Sequence, residues 1–298
     1  MSLKNGIIPI YKPMGFTSFD VVAKCRCVLK TKKIGHAGTL DPMATGVLPI
    51  FIGTATKACD MLPDNDKAYI AEFKLGIKTD TEDITGKVIK QDENVSLCKE
   101  DILSVIPLFT GEIEQIPPMY SAVSVGGKRL YELARKGIEV ERTPRKITIY
   151  KLSLESFDEE EKTGKLYIEC SKGTYIRTLI SDIAEKAGSC GTMTSLIRAK
   201  ASGFSLSECI TLDELSAMED PYEKLVSIEK VFSYLPRIEI KGAQERMYRN
   251  GIRLSLKKMQ FEKGENEYAV FGETEFLGIA TADYQNDELI IKKNFYER

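Results

Sequence analysis

Between residues 35 and 46 the chain reads Gly-His-Ala-Gly-Thr-Leu-Asp-Pro-Met-Ala-Thr-Gly. Its glycines permit tight turns, and Pro42 removes an amide donor and pushes Asp41 into an extended conformation. No helix or long strand runs through such a stretch. It has to be a loop, held by what flanks it. Upstream, residues 6–11 read as a short strand closed by the turn Lys12-Pro13-Met14-Gly15. A helix over about 19–30 follows, capped by Thr17 or Ser18, with Phe19, Val22, Ala23 and Cys27 as its buried side. Downstream, residues 47–52 are a continuous apolar run, the pattern of a buried strand. A rigid loop on such a scaffold is a place for a catalytic group, and Asp41 is its carboxylate. On spacing alone, a plain Asp-Pro turn is the simpler reading.

Residues 67–75 alternate strictly. Tyr69, Ala71, Phe73 and Leu75 share one face, and Ile70, Glu72 and Lys74 the other, as in a half-buried strand. Residues 80–86 form a polar turn before a strand over 87–90, and residues 99–109 read as helical. From 116 to 145, paired prolines, paired glycines and basic residues mark an irregular insertion or hairpin, with outer limits of about 107–146. Residues 166–170 form a strand and 171–174 a turn. Residues 176–186 form an amphipathic helix with Ile176, Leu179, Ile180, Ile183 and Ala187 on one side. Residues 193–205 are extended. Beyond 232, short strands at 268–271, 276–282 and 289–291 describe a small all-β unit, bounded at Leu235-Pro236. The expected class is α+β (mixed α/β), with strands outnumbering helices: a larger unit over 1–232 and a small β unit over 233–298.

The 298 residues, 43% hydrophobic and 29% charged, suffice for one large core and one smaller one. No apolar run reaches the ~18 residues of a membrane span. The opening residues, one Lys and a short apolar stretch broken by Pro, do not read as a signal peptide. The seven cysteines include no Cys-x-x-Cys pair and read as free thiols of a cytoplasmic protein. The single histidine excludes His-rich metal sites. A net charge of −2 argues by itself against a polyanionic partner. The charge is uneven, however. Residues 24–33 carry five basic side chains and no acid, and residues 128–146 carry seven basic against three acidic. Local basic faces and ordinary solvated surface are both open on this ground.

The run G-H-A-G-T-L-D-P-M-A-T-G-V-L-P (35–49) resembles the signature of bacterial TruB-type tRNA pseudouridine synthases, relatives of the dyskerin enzymes. The resemblance extends in the family's order through Lys12-Pro13 with Gly15, Lys67-Ala68-Tyr69, Thr79 to Asp83, Gly173 to Arg177, and Leu196 to Arg198. It implies the pseudouridine synthase fold, a mainly antiparallel mixed sheet flanked by helices, with a C-terminal PUA-like RNA-binding domain, and uridine 55 in the T-loop of tRNA as target. It implies Asp41 as the nucleophile, Arg177 as its partner, and Tyr69 stacked on the flipped uracil. Tyr175 and Leu196 would line the same pocket, Asp83 would hydrogen-bond within the cleft, His36 would enter the T-loop, and Lys12 would be among the substrate-binding residues. Without the family, Tyr69 and Leu196 read as core residues and Arg177 as a surface Arg. A cation in a helix's first turn opposes the helix dipole, and an acid partner offsets that. The sequence departs from the family at 192–195, where a His is frequent, and at Ile197, where Arg is common.

The implied reaction moves uracil from N1 to C5 attachment with no atom gained. It calls for no metal, nucleotide or redox cofactor, and the chain carries no phosphate-loop or dinucleotide fingerprint. The implied partner is the tRNA T-stem-loop, met by a monomer without a membrane. Three alternatives stay open: a non-catalytic RNA-binding or RNA-chaperone protein, a Mg²⁺-dependent phosphoryl-transfer or hydrolase enzyme using Asp80 and Asp83, and a synthase acting on ribosomal or small RNA.

Overall fold

The computed structural model describes residues 5–62 and 66–296. Strand β1 (Gly6–Lys12) turns through Gly15 into helix α1 (Ser18–Val28). Strands β2 (Ile34–His36) and β3 (Thr45–Ile52) close in on the glycine-rich stretch from both sides, leaving 37–44 as the loop proper. Next come β4 (Lys67–Leu75) and a separate ribbon of β5 (Ile77–Thr79) and β6 (Val88–Gln91). Helix α2 (Lys99–Val105) leads to β7 (Gly111–Gln115). A small ribbon, β8 (Ser124–Val125) and β9 (Lys128–Arg129), carries α3 (Leu130–Ala134). The chain returns through β10 (Arg145–Asp158), β11 (Thr163–Cys170), α4 (Ile176–Ala187), β12 (Gly191–Ala201) and β13 (Phe204–Ser205). Helices α5 (Leu212–Ala217) and α6 (Ile228–Val231) lead into the C-terminal part.

The large sheet runs β1-β3-β12-β4-β11-β10-β7, with β2 on β3 and β13 on β12. Every pairing is antiparallel except β12 with β3. This is the mainly antiparallel mixed sheet that the family resemblance implied. Helices α2 and α4 cover one face, burying Tyr69, Ala71, Phe73, Leu75, Ile102, Leu166, Ile168, Leu179 and Ile183 in one cluster. The alternate side chains of β4 and β11 face the other side of the sheet, where they are half-exposed and mostly polar, which is the origin of their period-two pattern. Strand β3 is apolar throughout because it is covered on both sides. Leu48 and Ile50 meet α1 and α5, while Val47 and Phe51 enter a cluster shared with the C-terminal sheet.

Some sequence expectations need correcting. Helix α1 buries Ser18, Val21, Val22, Cys25 and Leu29, whereas Phe19, Ala23 and Cys27 face solvent. The reciprocal capping of Thr17 and Asp20 starts the helix at Ser18, and the buried positions follow the helical spacing i, i+3, i+4, i+7 and i+11. The helix expected over 99–109 stops at Val105, and Pro107 opens a short 3₁₀ turn instead. The insertion is narrower than 107–146: β7 is the edge strand of the main sheet, paired with β10, so only 116–144 stand outside it.

The second sheet comprises β14 (Arg237–Glu239), helix α7 (Gly242–Arg249), β15 (Leu254–Ser255), β16 (Glu267–Phe271), β17 (Phe276–Asp283) and β18 (Glu288–Asn294), in the strand order β14-β16-β17-β18-β15. Its Phe271, Phe276, Ile279 and Phe295 pack with Ile7, Phe51, Phe204 and Phe232. Among the described residues no helix is long and apolar enough to cross a membrane. All seven cysteines are free thiols.

Candidate active site

The loop bearing Asp41 is tied down at nearly every residue. Leu40 N donates to Ser18 Oγ (2.9 Å), and that hydroxyl donates back to Leu40 O (3.3 Å). Ala44 N donates to Asp41 O (3.0 Å), and Gly15 N to Pro42 O (2.8 Å). Lys12 Nζ donates to Pro42 O (3.2 Å) and Pro13 O (2.9 Å). Leu40 and Ala44 anchor the loop in the core. Asp41 is thus fixed from three directions while its side chain remains 42% exposed. Lys12 therefore lies under the loop, fully buried, and not in the cleft where the expectation of substrate binding placed it. Burial pulls its pKa down to about 8, against the opposing pull of Asp41.

Arg177 is the hub. It is the second residue of α4 and is buried. Its Nη2 lies 3.2 Å from Asp41 Oδ2 and its Nη1 3.3 Å from Asp83 Oδ2. It also donates to Thr81 O (3.0 Å) and Tyr120 O (2.9 Å). The fork geometry of guanidinium suits this four-way task. Asp83 is held in turn by Thr81 Oγ1, Thr85 N and Thr85 Oγ1, all on its Oδ1. Both oxygens of Asp83 are engaged, and Asp80 instead accepts from Lys87 N (2.8 Å), so the two do not converge as a Mg²⁺ pair. Among the described residues no group of three or more His, Cys, Asp or Glu is placed to hold a metal.

A cleft of about 730 Å³ opens over this pair. Asp41, Tyr69, Asp83, Tyr175, Arg177 and Leu196 all line it, drawn from five separate segments of the chain. Tyr69 is buried, and burial pushes its phenol up to about 12, with Arg198 acting in the opposite direction. His36 does not line the cleft. It sits in β2 opposite Ile50, with Nδ1 buried and without a hydrogen-bond partner among the described residues. Burial, then Arg198, lowers its pKa and keeps the ring neutral at pH 7.

Three residues escaped the sequence reading. Gln115, buried at the end of β7, accepts from Tyr175 N (2.8 Å) and donates to Tyr175 O (3.0 Å), fixing the entry to α4. Arg198 is wholly buried opposite Tyr69 and donates to Val47 O and Gly38 O (both 2.8 Å). Lys67 lines the cleft itself. The first was hidden in a strand we did not foresee; the other two stand in quoted motifs, beside the residues that drew attention. The insertion contributes Tyr120, Tyr131 and Arg135 to the cleft wall, with the Arg135 guanidinium 5.4 Å from the Tyr131 ring.

Residues 26–176 match the TruB family pseudouridylate synthase N-terminal domain. Over 280 residues the chain is 44% identical to tRNA pseudouridine synthase B of Clostridium tetani, covering 92% of this chain and 94% of that protein. The chain belongs to the TruB family of pseudouridine synthases. The namesake from Clostridium perfringens is 43% identical across 97% of this chain and all of its own length. Among solved structures, a chain of a Cbf5-Nop10-Gar1 complex superposes with a TM-score of 0.73 at 25% identity, covering 99% of this chain and 86% of that one. A chain of an H/ACA ribonucleoprotein bound to a substrate RNA superposes at 0.71 and 23% identity, with the same coverage, and shares the fold. As a pseudouridine synthase the protein is an isomerase, and the cleft over Asp41 is where its family signature lies.

Proposed function

We propose that the protein converts uridine 55 in the T-loop of tRNA to pseudouridine, with Asp41 as the reacting carboxylate. The supporting observation is the Asp41–Arg177 pair on the floor of a cleft walled by Tyr69, Tyr175 and Leu196. A uridine that leaves its stack needs flat or apolar neighbours, which these side chains supply. Tyr69 forms the flat wall. A phenol raised to about 12 stays protonated at pH 7, which suits stacking better than taking the C5 proton. Asp41 faces the sugar and serves either by bonding to C1′ or by assisting a glycal intermediate. The N1–C1′ bond breaks, the uracil turns, C5 bonds to C1′, and a proton leaves C5 while another joins N1. The atoms balance without a cofactor. Arg177 aims the carboxylate and Asp83 aims Arg177. The 116–144 segment closes one side of the cleft over the RNA, and the C-terminal sheet holds the acceptor stem in the manner of a PUA domain. The enzyme works as a monomer in the cytoplasm.

The test uses tRNA tritiated at uridine C5. The wild type releases tritium from a T-stem-loop carrying the target uridine and not from one with cytidine there. Asp41→Asn binds the same RNA with little loss and releases none. Full release by Asp41→Asn would sink the assignment.

A further inference from the structure

Lys67 opens β4 and lines the cleft, and the nearby acid Asp66 only partly offsets the effect of its burial. Among the described residues its ammonium makes no hydrogen bond and no ion pair. Burial lowers its pKa first, and Arg198 lowers it further; Cys170 and Asp66 oppose this, and Lys172 adds to it. A half-buried ammonium without an ion pair, its burial only partly offset, costs free energy and is poised for an anion. Of the cleft's other cations, Arg177 is fully engaged and Arg135 is exposed on its rim. Arg177 holds two carboxylates and two carbonyls, and Arg135 lies over Tyr131. The place of Lys67 is fixed by the Asp41 loop. A methyl on Gly38, whose φ is +67°, would lie 3.5 Å from Lys67 Cε and 3.2 Å from Arg198 Nη1. The Lys67 stem therefore packs against the loop, with its head at the cleft wall.

We propose that Lys67 binds a backbone phosphate flanking the flipped uridine. A nucleotide that leaves its stack brings its phosphodiesters with it. The nearest of them approaches Asp41, an anion, and among the described residues Lys67 is the cleft-lining cation that packs against the Asp41 loop without an ion pair. The inference rests on the function proposed above, with RNA as the substrate. Lys67 binds and positions the nucleotide; it takes no part in bond breaking.

The experiment measures tritium release from T-stem-loop RNAs with a methylphosphonate at the phosphate 5′ or 3′ of the target uridine, for wild type, Lys67→Gln and Lys67→Arg. On natural RNA, Lys67→Gln raises KM about tenfold, the ~1.4 kcal/mol of one charge-assisted hydrogen bond. Its kcat changes little, and Lys67→Arg restores KM. The wild type loses about the same factor on one of the two neutral-phosphate RNAs, and Lys67→Gln loses nothing more there. The slope of log KM against log salt falls by about 0.7 in Lys67→Gln, one contact's worth for a single strand. Thermal unfolding of Lys67→Gln matches or exceeds the wild type, because no partner is lost and a half-buried charge is removed. An unchanged KM, or penalties that multiply on both modified RNAs, overturns the proposal. A wild type inactive on every T-stem-loop overturns the function reading instead.

Discussion

Arg177 pairs two carboxylates with one guanidinium and still donates to two carbonyls. Each contact restrains the next, so the aim of Asp41 depends on Asp83, which it never touches. Lysine keeps the charge but offers a point in place of a fork. Arg177→Lys is expected to lower kcat by about 10²-fold or more, the scale of a 1 Å misplacement at a reacting centre, with the RNA Kd little changed. Single-turnover kinetics beside filter binding measures both, and a near-wild-type kcat would remove Arg177 from the mechanism. At this scale the sequence was informative where chemistry and signature coincide. Asp41, Tyr69, Asp83, Tyr175, Arg177 and Leu196 meet in one cleft. It was less informative where a residue works through the backbone. Lys12 and Arg198 are buried and hold carbonyls of the loop, and nothing in a one-letter pattern separates a buried cation from a cleft-lining one.

The site is assembled where β12 runs parallel to β3, the one parallel pairing of the large sheet, with Arg198 opposite Gly46. Gly46 has φ +103°, and a methyl there would lie 2.3 Å from Arg198 O and 2.8 Å from Arg198 N. Backbone cannot yield as a flexible side chain would. Gly46→Ala is therefore expected to cost about 3 kcal/mol or more, from strain and overpacking together. Urea unfolding measures it, and a loss below about 1 kcal/mol would mean that the two strands part easily. The same element scale explains what the sequence concealed. Strand β10 is the longest strand, but shifts of register at Ile149/Lys151 and Leu154/Ser156 break its alternation. Strand β12 has two such shifts, between Met193/Ser195 and Arg198/Lys200, so it read only as extended. Strand β4 has clean alternation, and its limits of 67–75 were legible. In α1 the apolar stripe that packs is Val21, Val22, Cys25 and Leu29, and Phe19 ended outside with Arg26 5.6 Å from its ring.

Over the whole molecule, stability is traded for the geometry that holds α4 and the Asp83 turn together. Glu82 lies on that turn with φ +63° and accepts from Thr178 Oγ1 (2.5 Å) on α4. Asp182, one turn further along α4, is half-buried beside Glu82 and Glu185, with Lys78 bonded to Glu185. Burial, then Glu82 and Glu185, push the Asp182 carboxyl up to about 6, and Lys78 only partly offsets them. Glu82 is pushed up as well, by burial first. The sign follows from linkage. Between the unfolded value of 3.8 and the folded value of about 6, the native state binds more protons, so stability falls as pH rises through that window. Above it the native fold carries the full penalty; below it both states are protonated and the penalty is gone. About two pKa units correspond to roughly 3 kcal/mol, and partial exposure screens this to about 1–2 kcal/mol. Asp182→Asn keeps the shape and removes the charge. Denaturation at a series of pH values should show it more stable than the wild type by that amount at pH 7–8, with the two curves converging by about pH 4. Equal stability at pH 7, or a loss there, would show that Lys78 and solvent already neutralise the cluster.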